Sequence, residues 1–200
     1  GLGVEPDLDL ARRWLGLAAE AGDPVGQRNL AALLMRDEFP RVPDPVEAAR
    51  LYRLAAEAGD APAQDMLSWM LLEGEMVPSD LAEARRWAEA AAEAGIAASM
   101  TRLGMLHHNA IGTARSPADA VRWWRRGAEA GDADGQAMLG AALHMGNGVE
   151  RDDAEALRWL LLARRGGSAL AEPFLPAVRL ALGPRAAALE AEGASTGTLP

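Results

Sequence analysis

A five-residue stretch, Ala-Glu-Ala-Gly-Asp, recurs along the chain at a nearly constant spacing and constrains the fold more than any other feature. Intact copies end at Asp23, Asp60 and Asp132, and altered copies end at Ile96 and Ser168. Their glycines, called the marker glycines below, lie at positions 22, 59, 95, 131 and 167, so the steps are 37, 36, 36 and 36 residues. A fixed period of this length is typical of a solenoid of stacked units whose core is buried between neighbouring repeats.

Each repeat is predicted to contain two helices. Counting back 15 residues from each marker glycine reaches a side chain that suits a helix N-cap: Asp7, Asp44, Asp80, Ser116 and Asp152. The second helix of a repeat therefore runs from this cap to the marker glycine, which can take the left-handed conformation beyond a helix end. Asp23, Asp60 and Asp132 suit the cap of the first helix that follows.

Two columns of side chains are predicted to form the core. The first helices place a large residue beside a small one, which indicates a close helix crossing. The large residues are Leu30, Leu67, Leu103, Leu139 and Leu175, and the small ones are Ala31, Ser68, Gly104, Gly140 and Pro176. The second helices align Trp14, Leu51, Trp87, Trp123 and Trp159. Large aromatic residues at helical spacing favour packing between repeats over a ligand site.

Composition excludes several classes of function. The net charge is −9, all 20 basic residues are arginine, and no basic stripe is present, so nucleic-acid binding is not expected. The chain has no cysteine, which excludes a disulfide framework, a thiolate metal site and a cysteine nucleophile. No apolar run approaches the roughly 18 residues of a membrane-spanning helix, so no membrane insertion is expected in this segment.

The repeat resembles a known family. Its best copy contains Gly135-Gln136-Ala137-Met138-Leu139-Gly140, then Gly146-Asn147-Gly148-Val149, then Ala156-Leu157-Arg158-Trp159. This pattern is similar to the Sel1-like repeat, a helix-turn-helix relative of the tetratricopeptide repeat, over roughly residues 1–182. The resemblance implies an all-α, α/α solenoid with a right-handed superhelix, and an adaptor that holds protein or peptide partners, often in bacterial signalling, envelope or host-contact pathways.

We expect one solenoid over residues 1–192. Its parts are a half-repeat 1–22, repeats 23–59, 60–95, 96–131 and 132–167, and a C-terminal cap 168–192, followed by a flexible tail 193–200. The loop Asp37 to Pro43 has one extra residue and is expected to bulge. Gly1-Leu2-Gly3-Val4 aligns with the middle of a repeat, so the chain is expected to come from a longer protein. Its compartment, bacterial cytoplasm or periplasm, therefore stays open.

No residue pattern predicts catalysis, a cofactor or a metal site. The chain has no nucleophile elbow, phosphate loop or zinc-binding helix. His108 and His144 are 36 residues apart, so they occupy one column on successive first helices. A metal could bridge two such imidazoles, but no third ligand is evident. Both histidines are instead expected to line a groove surface.

That groove is predicted from helical periodicity. If Leu139, Gly140 and Leu143 face the core, the opposite stripe of the same helix contains Ala137, Ala141 and His144. Moving this stripe by whole repeats defines the expected partner-binding residues: Arg28, Met35, Asp65, Trp69, Leu72, Thr101, Met105, His108 and His144. The concave position of this stripe is implied by the resemblance. Trp69, Leu72 and Met105 are expected to supply apolar contacts, and Arg28 and Asp65 the polarity.

The function predicted from these features is a non-catalytic protein-interaction scaffold. Two other hypotheses stay open. A hydrolase that acts on cell-envelope material is one alternative, although the sequence offers it no nucleophile and base. A regulatory ectodomain that binds a membrane kinase is the other; it would use the same groove and differ in compartment.

Overall fold

A computed structural model describes residues 7–36 and 43–196, with side chains as far as residue 191. All regular structure within these residues is helical. The helices are α1 (Leu8–Glu20), α2 (Pro24–Leu34), α3 (Pro45–Glu57), α4 (Ala61–Glu73), α5 (Leu81–Glu93), α6 (Ala97–Asn109), α7 (Pro117–Glu129), α8 (Ala133–Met145), α9 (Asp153–Arg165), α10 (Leu175–Leu182) and α11 (Pro184–Thr196). A short 3-10 helix, Ala169–Ala171, precedes α10. None of the described helices is both long and apolar enough to cross a bilayer.

The chain divides into two compact units, Gly1–Ala94 and Gly95–Pro200. In the N-terminal unit, α1 to α5 pack on one another in chain order, around a core that includes Tyr52, Leu67 and Met70. In the C-terminal unit, α6 to α10 pack in the same order, around a core that includes Leu139 and Leu157. The predicted all-α solenoid of two-helix repeats is confirmed.

The predicted helix ends are also confirmed. The side chains of all five predicted second-helix caps accept a backbone N–H of the first turn. Asp23, Asp60 and Asp132 cap α2, α4 and α8 in the same way. Helix α6 follows Ile96, which makes no side-chain cap. The marker glycines have φ between 81° and 97°, a region that glycine enters without steric cost.

The first-helix column forms the core as predicted. Leu67, Leu103, Leu139 and Leu175 are fully buried, and Leu30 is half-buried. The small neighbours permit close crossings: a Cβ atom at Gly104 would lie 2.3 Å from Cδ1 of Trp124, and one at Gly140 would lie 2.8 Å from Cγ of Leu160. At these two glycines, the backbone of the first helix therefore lies directly against a side chain of the second helix.

The second-helix column is buried only in part. Leu51 and Trp87 belong to the core of the N-terminal unit, and Trp123 and Trp159 are half-buried. The prediction is wrong for Trp14, which is 63% exposed. Helix α1 buries none of its residues and packs mainly on α2. Among the described residues, no further helix covers the face of α1 that carries Trp14, whereas Leu51 and Trp87 are covered in their repeats.

The C-terminal segment differs in detail from its prediction. Helices α10 and α11 lie where Leu180 to Leu189 is expected to cover the last repeat, and Ala186 and Leu189 pack on the core of the C-terminal unit. Leu180 itself is exposed. Helix α11 continues through Thr196, past the predicted tail start at Gly193, and residues 197–200 lie outside the described residues, as do 37–42 of the expected bulge.

The close crossing at Gly104 gives a test of packing. We expect Gly104→Ala to lower the free energy of unfolding by about 2 kcal/mol, because an added methyl group would overlap the Trp124 indole. Gly16→Ala is the control: no atom lies within 4 Å of its Cβ position in α1, so it should stabilise by up to about 1 kcal/mol. Urea denaturation followed by circular dichroism would measure both, and equal effects would contradict the packing.

Candidate partner-binding surface

The predicted stripe of the N-terminal unit lies mainly on α4. Asp65, Trp69 and Leu72 follow one another at i, i+4 and i+7 and are all half-buried. Trp69 and Leu72 pack against the core of the unit, and so does Met35 at the end of α2. One part of each of these side chains therefore contacts the core, and another part is exposed to solvent. The surface of α4 formed by Asp65, Trp69 and Leu72 is called the α4 stripe below.

Arg28 has a structural contact that the sequence did not predict. Its NH1 donates to Oδ2 of Asp60 at 2.7 Å. The other oxygen of Asp60, Oδ1, accepts the backbone N–H of Ala63 at 2.9 Å and so caps α4. Arg28 therefore ties α2 to the first turn of α4, and its charge is matched by a carboxylate that is almost buried.

Thr101 occupies the same repeat position in the C-terminal unit and has the same kind of partner. It is 5% exposed, and its hydroxyl donates to Oδ2 of Asp132 at 2.7 Å. That oxygen also accepts a hydrogen bond from the backbone N–H of Gly135, and this bond caps α8. A Cβ atom at Gly127 or Gly135 would lie within 2.6 Å of the Thr101 oxygen. Thr101 is thus enclosed by α7 and α8 and is a connecting residue.

The other expected residues of the C-terminal unit have separate surroundings. Met105 is 43% exposed. His108 is half-buried beside Trp124, with ring centroids 5.3 Å apart. Nδ1 of His144 lies 2.5 Å from Oδ1 of Asp153. The two histidines therefore bind different partners, and no group of three histidine or acidic side chains in the described residues could hold a metal ion.

Asp153 joins His144 to an arginine. Its Oδ2 accepts hydrogen bonds from Nε and NH2 of Arg151 at 3.0 and 2.7 Å. Burial raises the pKa of Asp153, but the hydrogen bonds from Arg151 and His144 outweigh it, so the pKa of this carboxyl is lowered. The cluster fixes the turn between α8 and α9.

The expectation of an open stripe along α8 is wrong. Ala137 and Ala141 are 1% and 4% exposed. Their side chains are small, and α6 packs directly on α8. Because alanine permits this close approach, the part of the stripe that remains accessible in the C-terminal unit reduces to Met105, His108 and His144.

A cavity lies on the second-helix side of the N-terminal unit, where no site was predicted. Its volume is about 550 Å³, between α3 and the turn that joins α4 to α5. Val46, Leu71, Val77 and Pro78 form its apolar wall. The arginines and acids at its rim pair with one another, as in the contact of Arg53 with Glu83. These pairs leave no uncompensated cation to attract an anionic ligand.

The same Arg-Glu-Trp arrangement occurs once in each unit. Arg53 donates two hydrogen bonds to Glu83, at 3.1 and 2.8 Å, and Nε1 of Trp87 donates to the same carboxylate at 3.1 Å. The second copy, 72 residues later, consists of Arg125, Glu155 and Trp159, with distances of 2.6 and 3.1 Å. Each copy joins two successive second helices, α3 to α5 or α7 to α9. The recurrence is visible in the sequence, because all three residues are repeated after two periods of 36 residues.

The charge of Glu83 should contribute to stability. The hydrogen bonds from Arg53 lower its pKa, burial opposes them, and the bond from Trp87 adds to the lowering. A carboxyl whose pKa is lower in the folded state stabilises the fold above its unfolded pKa and loses this contribution as the pH falls through the folded value.

We expect Glu83→Gln to lower the free energy of unfolding by about 1 kcal/mol at neutral pH, since the pair is partly exposed and screened by solvent. The difference from wild type should shrink as the pH falls below 4.5, the ordinary pKa of glutamate, and disappear below the lowered value. Urea denaturation across this pH range would measure it. Glu73→Gln is the control at an exposed residue, and it should stay within about 0.5 kcal/mol of wild type at neutral pH.

We expect Thr101→Val to lower the free energy of unfolding by about 1 kcal/mol, because Asp132 loses a hydrogen-bond donor in a buried place. Partner affinity should not change. The control is Thr113→Val, at a partly exposed threonine between α6 and α7, which should stay within about 0.5 kcal/mol of wild type. Thermal denaturation would compare the two. A Thr101→Val protein of wild-type stability would refute the connecting role.

Known proteins match this arrangement. The Sel1 repeat family matches residues 1–23, 24–60, 61–96, 97–132 and 133–168. Each matched repeat ends one residue after the corresponding marker glycine. No curated protein matches the chain significantly.

Solved structures that are similar to the chain include two that are more than 30% identical to it. One is a Sel1 repeat protein from Oxalobacter formigenes, with 34% identity and a TM-score of 0.78 over 84% of this chain and 69% of that one. The other is c5321, a protective antigen of uropathogenic Escherichia coli strains with an SLR fold, with 31% identity and a TM-score of 0.75 over 84% of this chain and 35% of that one.

A third structure, Helicobacter pylori cysteine rich protein B, is 18% identical, with a TM-score of 0.53 over 64% of this chain and 96% of that one. It shares the fold alone. The family match spans most of the chain, and the paired helices, caps and marker glycines follow its period throughout. The chain therefore belongs to the Sel1 repeat family.

Proposed function

We propose that this chain is a non-catalytic scaffold that holds a protein or peptide partner on the exposed faces of its first helices, in a bacterial signalling or envelope process. Sel1 repeat proteins generally mediate protein–protein interactions. The proposal assigns the main contact to the α4 stripe together with Met35. Met105, His108 and His144 form the corresponding surface of the C-terminal unit.

The surroundings of Trp69 carry this assignment. Trp87 and Trp159 donate their indole N–H groups to glutamates, Trp124 is buried, and Arg126 stacks on Trp123 at 4.4 Å. Trp69 rests on the core of the N-terminal unit and remains half-exposed. A half-exposed tryptophan suits a binding anchor, because it offers a large apolar area together with an indole N–H.

The neighbours of Trp69 suit the same role. Leu72 extends the apolar surface by about one helical turn beyond Trp69, and Asp65 adds a carboxylate about one turn before Trp69. Met35 lies at the end of the preceding first helix, and methionine adapts its shape to varied ligands. Arg28 supports this surface indirectly, since it holds the start of α4.

No observation supports the alternative of a hydrolase. Asp153, and not a serine, is the hydrogen-bond partner of His144. Ser68 and Ser99 are buried, Ser116 caps α7, and Ser168 donates to Asp134.

The proposal predicts that Trp69→Ala weakens partner binding by about 2 kcal/mol or more, as expected of an anchor residue, while the circular dichroism spectrum stays helical. The measurement has two steps. Wild-type and variant baits are compared by mass spectrometry of the bacterial proteins that each retains, and a protein lost from the variant is then titrated against both.

Trp14→Ala is the matched control, since it removes an exposed tryptophan from α1. Met105→Ala tests the C-terminal unit in the same way. Loss of the partner with Trp69→Ala and retention with Trp14→Ala would support the proposal. Equal retention by all four baits would exclude the α4 stripe and direct attention to the cavity beside Val46.

A further inference from the structure

The net charge of the protein is confined to one of its two units. Residues 1–94 contain 18 acidic and 9 basic side chains, whereas residues 95–200 contain 11 of each. The N-terminal unit therefore carries the whole net charge of −9, and the C-terminal unit is neutral. Charge of one sign on a folded unit creates a potential that attracts and orients partners of the opposite sign.

Part of this negative charge lies next to the α4 stripe. Glu73 follows Trp69 by four residues, so the two side chains lie on neighbouring turns of one helix face. Glu75 follows Gly74, whose left-handed conformation ends α4. Both glutamates are exposed and form no ion pair within the described residues. The partial negative charge of the helix C-terminus adds to theirs.

The acidic end of α4 is not shared by α6 and α8, although Asp37 and Glu38 follow α2 in the sequence. The positions equivalent to Glu73 are Asn109 in α6 and Met145 in α8. The positions equivalent to Glu75 are Ile111 and Asn147. Caps, core leucines and marker glycines recur in these repeats, so the fold does not require acids here. Stability therefore does not explain why two glutamates follow Trp69.

At the opposite end of α4, the negative charge of the N-cap residue is neutralised. Asp60 at its N-cap is matched by Arg28 at 2.7 Å and by the backbone N–H of Ala63. A ligand on the α4 stripe thus meets a neutralised first turn, an apolar middle at Trp69 and Leu72, and an acidic last turn.

From this arrangement we infer that the N-terminal unit recognises a basic peptide segment with apolar side chains. The apolar side chains pack on Trp69 and Leu72, and the lysine or arginine side chains lie beside Glu73 and Glu75. This inference rests on the proposed scaffold function and deepens it by stating the chemistry of the partner.

Electrostatic complementarity of this kind acts chiefly on association and on selectivity. Attraction between exposed charges weakens as salt shortens the Debye length to about 3 Å at 1 M. Binding of the basic segment is therefore expected to weaken with salt, whereas its apolar contacts persist.

A selection from a phage library of random peptides against the full chain tests the inference. We expect the recovered peptides to be enriched in lysine or arginine together with leucine or aromatic residues, and to be lost when Trp69→Ala is the target. Acidic or neutral peptides that depend on Trp69 would overturn the inference and leave the scaffold proposal intact. Peptides that bind the Trp69→Ala variant equally well would overturn both, and so would recovery of no peptide.

The position of the basic side chains is tested with the best recovered peptide by fluorescence anisotropy. The double variant Glu73→Gln, Glu75→Gln should weaken binding at least about fivefold at low salt, since it removes two adjacent charges. Glu20→Gln, Glu93→Gln is the matched control, because it changes the net charge of the same unit equally at exposed glutamates that end α1 and α5. Equal effects of the two pairs, or no loss of affinity at high salt, would overturn the inference.

Discussion

Within each unit, a hydrogen bond to an N-cap aspartate connects one first helix to the next, α2 to α4 and α6 to α8. Asp60 and Asp132 each cap their own helix through a backbone N–H and accept a side chain from the preceding first helix, Arg28 or Thr101. One carboxylate thereby fixes both the start of a helix and its distance from the previous one.

A repeat protein separates stability from recognition in a simple way. Features that recur with the period, such as the caps, the marker glycines and the leucine column, belong to stability, because every repeat needs them. Features that occur once are candidates for recognition. Trp69 and Glu73 belong to this second kind, whereas the Arg-Glu-Trp clusters recur and join successive second helices.

Much of the fold was readable from the sequence, but less of the surface. The caps, helix ends and leucine column followed from local rules, since each depends on a few neighbouring residues. The predicted stripe was a matter of periodicity, which identifies residues on one helix face but not what covers that face. Arg28 and Thr101 were predicted for the groove and are connecting residues. The sequence shows that they occupy the same repeat position as Asp65. It does not show their hydrogen bonds to Asp60 and Asp132.

The sequence by itself determined the period, the two helices of each repeat and the family, because cap chemistry and glycine conformations are local properties. Only the tertiary structure decided exposure, since exposure depends on a neighbouring helix. Trp14 and Trp87 occupy one column, yet one is exposed and the other buried. Ala137 and Trp69 lie on equivalent faces, but alanine lets α6 pack closely on α8, whereas the indole of Trp69 stays half in solvent. Side-chain volume at the helix crossing thus sets which part of the stripe a partner can reach.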